Sequence, residues 1–264
     1  MTTFVPGSPR IACDVQGEGP LVIFLHGIGG NRSNWAEQLA HLAPRARAVA
    51  WDARGYGDSE DDPREGPPEF ADFSADLLRL IEHFGAEQAH VVGLSMGGRI
   101  AMDFAVRHPA RVASLVLADT HLGFGNFSAE ERAAFIRLRE EPLRAGRTMR
   151  DLAPAVAATL MGDDAGEDVQ KRLVESIAAI KPANYLRSIA CMVDGDRFDA
   201  LEQITAPTMV MAGGADRLTP LEMAHEIAGR IPGARCMHIQ RAGHLSNIEA
   251  PEAFNILLDA FLPL

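Results

Sequence analysis

The chain has 264 residues, of which 47% are hydrophobic and 23% are charged, and its formal net charge is -11 at pH 7. This length accommodates one α/β domain with a sizeable core and an inserted segment. The acidic balance argues against a nucleic-acid or an anionic-membrane partner, because both favour a positive protein surface. We therefore expect a small-molecule substrate as the partner, while the oligomeric state stays open.

The three cysteines, Cys13, Cys191 and Cys236, are far apart in the sequence and form no CxxC pair. This usage indicates reduced thiols and predicts no metal site. The N-terminal segment has no basic stretch followed by an apolar one, and no apolar run approaches the ~20 residues of a membrane-spanning helix. The expectation is a soluble, cytoplasmic protein.

Short apolar segments alternate with segments that have apolar residues at helical spacing. The first kind predicts buried strands and the second predicts helices. The predicted strands cover residues 21–27, 46–52, 89–94, 112–119, 208–213 and 234–240, and the predicted helices cover 31–43, 73–84, 96–107, 220–230 and 251–261. This order predicts an α/β fold with a mostly parallel sheet covered by helices on both faces.

Between about residues 122 and 205 the alternation stops. This stretch is rich in Arg, Glu, Ala and Leu, and Pro142, Pro154 and Pro182 divide it into short helical pieces. A helical insertion between two parallel strands is expected to cover the C-terminal edge of the sheet, where open α/β sheets bind ligands. We predict a core formed by residues 1–121 and 206–264, with a helical cap over 122–205.

Residues 93–97 read Gly-Leu-Ser-Met-Gly, a G-x-S-x-G pattern. Such a short pattern also occurs by chance, as a glycine-rich turn with an incidental serine, so its position matters. It lies where a predicted strand meets a predicted helix, which is the position of a nucleophile elbow. The helix N-terminus there favours developing negative charge. Ser95 is therefore the candidate nucleophile.

A serine nucleophile needs a base that is itself oriented by another group. Of the nine histidines, His244 lies in a loop directly after the last predicted strand. Asp216 lies in the loop after the preceding strand, and the order Ser, Asp, His is the one expected for this fold. Asp119, at the end of an earlier strand, is the alternative acid.

An oxyanion hole requires two N–H donors at the reacting carbonyl oxygen. The backbone of Met96, after the nucleophile, and that of Ile28, in the HGIGG loop, are the expected donors. His26 is expected to anchor this loop, and residues 52–59 are expected to form a structural turn. The candidate substrate-binding residues are Trp35, His121 and Arg187.

Five segments in order, HGIGG, DARGYGDS, GLSMGG, GGADRLTP and AGHLSNIEAP, make the chain resemble the α/β-hydrolase superfamily. Within it the chain looks most like the 3-oxoadipate enol-lactonases, on the stretches HLSNIEAPEAF, SMGGRIAMDFA and IPGAR. This resemblance implies hydrolysis of an enol-lactone in bacterial aromatic degradation through an acyl-enzyme, with neither metal nor organic cofactor. The predicted cap does not match that family.

Three alternatives stay open. A general carboxylesterase is favoured by Trp35, which resembles a residue near the oxyanion loop of cofactor-free haloperoxidase-like esterases. A meta-cleavage-product C–C hydrolase shares the serine motif, although its loop after HG usually contains proline. A small-molecule receptor of the same fold belongs to a different functional class.

An enol-lactone of this kind carries a carboxylate, which arginine binds well through two parallel hydrogen bonds. We expect Arg187 or one arginine of the predicted cap to turn towards Ser95. The cap candidates are Arg132, Arg137, Arg139, Arg144, Arg147 and Arg150. A pocket lined only by apolar side chains would instead favour a neutral ester or lactone.

Overall fold

The computed structural model describes residues 2–125, 127–194 and 200–264. The strands of this part of the chain are β1 (Thr2–Val5), β2 (Ile11–Gln16), β3 (Leu21–Leu25), β4 (Arg47–Trp51), β5 (Ala89–Leu94), β6 (Val112–Ala118), β7 (Thr208–Gly213) and β8 (Arg235–Ile239). They form one sheet in the order β1-β2-β4-β3-β5-β6-β7-β8. Strands β3 to β8 are parallel, whereas β1 and β2 are antiparallel to their neighbours. The predicted mostly parallel sheet is confirmed.

Helices cover both faces of this sheet. Their bounds are α1 (Ala36–Leu42), α2 (Phe70–His83), α3 (Met96–Arg107), α4 (Ala129–Arg144), α5 (Met149–Leu160), α6 (Glu167–Ala178), α7 (Pro182–Asp194), α8 (Leu221–Arg230), α9 (Ser246–Glu249) and α10 (Pro251–Phe261). Successive strand residues point to opposite faces. Accordingly, Ile23 belongs to the core with α2, α3 and α8, while Phe24 belongs to the core with α1 and α10.

Two predicted helices begin differently from the expectation. The predicted helix 31–43 starts as a 3-10 turn, Arg32–Trp35, which Asn31 caps, and continues as α1. Helix α2 begins at Phe70 because Glu69 and Asp72 form a capping box ahead of the apolar repeat. Local capping by polar side chains therefore decides where these helices start.

Helices α4 to α7 lie between β6 and β7, in the stretch predicted to be helical. Polar contacts join them to loops at the C-terminal edge of the sheet. The Ser176 hydroxyl donates to the carbonyl oxygen of Gly29 at 2.8 Å, and the Asn184 amide donates to that of Gly55 at 2.7 Å. The inserted helices thus lie against the loops that follow β3 and β4.

The described residues include no helix whose length and hydropathy would allow it to cross a membrane.

The turn between β5 and α3 brings backbone atoms very close together. Ser95 has φ 55° and ψ -117°. A Cβ atom at Gly93 would lie 2.2 Å from the carbonyl oxygen of Gly97, and one at Gly97 would lie 2.1 Å from that of Leu25. Only glycine fits at both positions, because backbone atoms cannot move aside as a flexible side chain can.

We predict that Gly97→Ala lowers the free energy of unfolding by about 3 kcal/mol, because the added methyl group overlaps the β3 backbone. The matched control is Gly229→Ala, since a Cβ atom at Gly229 meets nothing within 4 Å. Alanine in this helix should be neutral or stabilising by up to about 1 kcal/mol. Urea denaturation measures both variants, and an unchanged midpoint for Gly97→Ala would contradict the prediction.

Candidate active site

Ser95 lies at the C-terminal edge of the sheet, immediately before α3. Its backbone N–H donates to the carbonyl oxygen of Ala118 at 2.9 Å, and the Thr120 hydroxyl donates to the Ser95 carbonyl oxygen at 2.7 Å. The end of β6 and the residues directly after it therefore fix the backbone of the turn at Ser95. Ser95 is partly exposed at the edge of the sheet.

Three side chains predicted from the sequence are in contact. His244 Nε2 lies 2.9 Å from Ser95 Oγ, and His244 Nδ1 lies 2.8 Å from Asp216 Oδ2. Since the ionised carboxylate only accepts hydrogen bonds, Nδ1 carries the proton and Nε2 is left to accept the serine proton. The imidazole is therefore arranged as a base towards Ser95.

Asp216 is stabilised as a carboxylate by several donors. The Thr219 hydroxyl donates to Oδ2 at 2.6 Å, and the N–H groups of Leu218 and Thr219 donate to Oδ1 at 2.8 and 3.0 Å. Burial alone would raise the pKa of Asp216, but the contact with His244 and these donors outweigh it and lower the pKa to about 2. Asp216 is thus ionised at neutral pH.

Asp119, the alternative acid, has other partners. Its carboxylate accepts the N–H of Gly213 at 2.7 Å and the hydroxyl of Ser246 at 2.5 Å. Complete burial raises the pKa of Asp119 to about 7 against the opposing charge of His244. The acid in contact with the His244 ring is Asp216, while Asp119 joins the loops that carry Asp216 and His244.

The electrostatic surroundings of His244 favour its protonated form. Burial lowers its pKa, but the hydrogen bond and charge of Asp216, followed by the charges of Asp119 and Glu249, outweigh burial and raise the pKa. An imidazolium formed when Ser95 loses its proton would therefore be stabilised mainly by the Asp216 carboxylate, which is in contact with the ring.

The two expected oxyanion donors belong to residues next to Ser95 in the chain or in space. Gly27, which precedes Ile28, is so close that a Cβ atom there would lie 2.9 Å from Ser95 Cβ. Among the described residues, the backbone hydrogen bonds outside the helices and strands include none donated by the Ile28 or the Met96 amide. His26 holds the loop, because Nδ1 donates to the Gly27 carbonyl oxygen at 2.8 Å and Nε2 accepts the Ala53 N–H at 3.0 Å.

A small cavity of about 20 Å³ lies beside the HGIGG loop. Trp35 is part of its wall and packs against Phe24 and Phe254, with ring centroids 4.9 and 5.9 Å away. The cavity is lined by His26, Gly27, Ile28, Gly29, Gly30, Asn34, Trp35, Leu94, Leu160, Leu173, Ile177, Leu245 and Asn247. The lining described by the structure contains no arginine or lysine, and its volume suits a water-sized or methyl-sized group.

His121 follows β6 and is near the predicted catalytic residues. Its Nδ1 accepts the Gly123 N–H at 3.0 Å, and its ring contacts the edge of Phe124, 5.3 Å away. Burial, with the nearby charges of Arg99 and His244, lowers the pKa of His121 to about 3. The ring is therefore neutral with its proton on Nε2, which makes Nε2 a hydrogen-bond donor.

Arg187 is bound to the loop that contains Asp62. Its guanidinium donates to the carbonyl oxygens of Asp62 and Arg64 at 3.3 and 2.9 Å, and lies 3.8 Å from the Asp62 carboxylate. None of these contacts joins it to Ser95, so a contact of Arg187 with the substrate stays a prediction. Arg139 is one of the six arginines of the predicted cap that were candidates for reaching the substrate. Its guanidinium stacks 3.3 Å from the centroid of the Phe135 ring.

Two polar residues of the site were not predicted from the sequence. Thr219 donates to Asp216, and the DRLT segment offers a signal for it, since aspartate commonly accepts from residues two and three positions later. Glu249 accepts backbone N–H groups beside His244. It had no sequence signal, because its partners depend on how the loop folds. Within the described residues, no group of three or more His, Cys, Asp or Glu side chains is arranged to hold a metal ion.

A family model described as the alpha/beta hydrolase fold matches residues 20–251. The chain therefore belongs to the α/β-hydrolase fold family, and on that basis it is a hydrolase. The resemblance inferred from the sequence motifs is confirmed at this level.

Named relatives share most of the chain. "3-oxoadipate enol-lactonase 2" of Acinetobacter baylyi is 27% identical over 249 residues, which cover 94% of this chain and 90% of the relative. The enol-lactonase structure from Burkholderia xenovorans LB400 is 26% identical with a TM-score of 0.87, covering 99% of this chain and 100% of that one. A thermophilic esterase from Thermogutta terrifontis is 27% identical with a TM-score of 0.89, covering 98% and 97%.

We predict that Asp216→Asn lowers kcat/KM by at least about tenfold more than Asp119→Asn, because only Asp216 holds the His244 tautomer directly. In the parent protein, kcat/KM should fall on the acid side with a midpoint above ~6.5, the ordinary pKa of histidine, because the raised pKa of His244 keeps the ring protonated to higher pH. Asp216→Asn should move this midpoint to lower pH.

A pH–rate profile of the parent and of each variant measures both the loss of kcat/KM and the midpoint. Equal losses of kcat/KM in Asp216→Asn and Asp119→Asn would contradict the assignment of the acid.

Proposed function

We propose that the chain is a serine hydrolase that cleaves a carboxylic ester or lactone through an acyl-enzyme. Ser95 acts as the nucleophile, His244 as the general base and acid, and Asp216 as the group that orients the imidazole. The observation that carries this proposal is the continuous contact from Ser95 through His244 to Asp216, at 2.9 and 2.8 Å. Such a relay is the arrangement that serine catalysis requires.

In the first half-reaction, Ser95 Oγ attacks the substrate carbonyl carbon while His244 Nε2 accepts the hydroxyl proton. The amides of Ile28 and Met96 donate to the oxyanion. When the tetrahedral intermediate collapses, the C–O bond of the ester breaks and the leaving oxygen takes the proton from His244. Water then attacks the acyl-enzyme with His244 again as base, which releases the acid and restores Ser95. For a lactone, the leaving oxygen stays attached to the acyl chain.

The proposed substrate is a neutral ester or lactone with a small apolar group next to the carbonyl carbon. Support comes from the cavity beside the HGIGG loop, whose lining among the described residues is mostly apolar and includes no arginine or lysine. Burying a carboxylate there without a partner would be costly. We assign substrate contacts to Trp35, through this wall, and to His121, through its Nε2–H.

A second candidate is the enol-lactone of 3-oxoadipate, in aromatic degradation. It is favoured by the likeness to the two enol-lactonases, over nearly the whole chain. For either substrate we propose that residues 122–205 act as a cap over the site. The contact between Ser176 and Gly29 at 2.8 Å supports a cap that reaches the oxyanion loop.

We predict that Ser95→Ala lowers turnover of p-nitrophenyl acetate by about 10⁴-fold or more, and that His244→Ala has a similar effect. The double variant should be hardly slower than either single variant, because the relay acts as a unit. Neither change should alter the unfolding midpoint strongly. Activity within tenfold of the parent for Ser95→Ala would refute the nucleophile. A parent protein that does not turn over any substrate would instead favour a small-molecule receptor.

We also predict that a neutral small lactone or ester has a kcat/KM at least about tenfold higher than the enol-lactone of 3-oxoadipate, because the charged group lacks a cationic partner in the cavity. Steady-state kinetics on a panel of neutral esters, neutral lactones, the enol-lactone and a ring-cleavage diene distinguishes the candidates. A preference for the enol-lactone would favour the second candidate, and cleavage of the diene would indicate C–C hydrolysis.

A further inference from the structure

The carboxylate of Glu249, at the end of α9, accepts three backbone hydrogen bonds. Oε2 accepts the N–H of Gly162 and the N–H of Gly243, both at 2.9 Å, and Oε1 accepts the N–H of Leu245 at 3.4 Å. Gly243 and Leu245 are the two neighbours of His244 in the chain. Gly162 belongs to the turn between α5 and α6, in the inserted helices. One side chain therefore joins this turn to the loop of His244.

The α5–α6 turn and the His244 loop also touch directly. The His244 N–H donates to the carbonyl oxygen of Leu160 at 2.8 Å. A Cβ atom at Gly243 would lie 2.1 Å from the Gly162 nitrogen, and one at Gly162 would lie 2.7 Å from the Arg241 carbonyl oxygen. Two glycines thus allow a backbone-to-backbone approach that any side chain would prevent.

We propose that Glu249 is a positioning residue, whose carboxylate holds the α5–α6 turn against the His244 loop and keeps the imidazole aligned with Ser95. The inference rests on the proposed function, because it requires His244 to act as the base. A carboxylate suits this task, since it can accept several N–H groups on two oxygens, whereas a glutamine side chain has one acceptor oxygen.

Glu249 also contributes charge at the base. The groups that face His244 are Asp216 after β7, Asp119 and His121 after β6, and Glu249 on α9. Burial lowers the pKa of His244, whereas the three carboxylates raise it, with Glu249 the smallest of the three contributions. Removing the Glu249 charge should therefore lower the pKa of His244 and move the acid limb of kcat/KM to lower pH.

The first test is Glu249→Gln in the 264-residue chain. We expect kcat for p-nitrophenyl acetate to fall by about tenfold with a small change in KM, because misalignment of the base affects the chemical step more than binding. The acid limb should move to lower pH. The matched control is Glu252→Gln, an exposed glutamate three residues later, which should behave as the parent.

The second test is Gly162→Ala, which changes no charge. Its Cβ atom would lie 2.7 Å from the Arg241 carbonyl oxygen and 2.9 Å from the Gly243 nitrogen, so it should push the turn away from the His244 loop. We expect kcat to fall here as well, with a smaller shift of the acid limb than in Glu249→Gln, because the charge of Glu249 is retained. Rates are normalised to folded protein from thermal unfolding, so this variant tests the inference even if Glu249→Gln folds poorly.

The outcomes separate this inference from the proposed function. If Ser95→Ala stays active, the proposed function fails whatever Glu249 does. If Ser95→Ala is inactive but Glu249→Gln keeps the parent kcat and acid limb, only the positioning role fails. The positioning role would likewise be overturned if kcat of Glu249→Gln and Gly162→Ala fell only in proportion to the folded fraction. Such a result would indicate that Glu249 contributes to stability alone.

Discussion

The left-handed backbone of Ser95, at φ 55° and ψ -117°, is the constraint on which the site depends. A non-glycine residue in such a conformation costs of order 1–3 kcal/mol and persists only where its surroundings enforce it. The enforcing contacts come from the carbonyl oxygen of Ala118, at the end of β6, and from the hydroxyl of Thr120, two residues later. Because the turn is held, the Ser95 hydroxyl points at His244 while the Met96 amide begins α3.

The parallel sheet brings the remaining groups to the same place. Loops after β3, β7 and β8 carry Ile28, Asp216 and His244, and parallel strands end at one edge of the sheet. Asp119, after β6, lies between the last two of these loops and bonds to Gly213 and Ser246. The contact from Ser95 to Asp216 is thus supported by the ends of adjacent strands and by buried side chains that join the loops after them.

The inserted helices have contacts at two functional points of this edge. Ser176 donates to the loop that carries Ile28, and Gly162 donates to Glu249 beside His244. The inserted helices are therefore bonded both to the HGIGG loop and to the loop that carries His244. A displacement of these helices would disturb both loops. Ser176 donates directly to the backbone of the first loop, and Glu249 joins Gly162 to the backbone of the second.

Local pattern in the sequence was sufficient for much of the fold. The bounds of β5, α3, β7 and α10 match their predictions, because apolar runs and prolines are local features of the sequence: Pro109 follows α3 and Pro251 begins α10. The G-x-S-x-G turn was equally predictable, because the two glycines that it requires lie within the same five consecutive residues as the serine. Strands β1 and β2 were missed, because β1 is short and partly exposed and antiparallel edge pairing is a long-range contact.

Only the tertiary structure decided which side chains meet. Asp119 and Asp216 both follow strands, and the sequence could rank but not separate them, since contact with His244 depends on the direction in which each carboxylate points. Arg187 was expected at the substrate but donates to carbonyl oxygens of a distant loop, more than a hundred residues earlier. The three amide groups that donate to Glu249 come together only after folding. Hydrogen-bond geometry between remote segments leaves no local pattern in the sequence, and for that reason these residues required the structure.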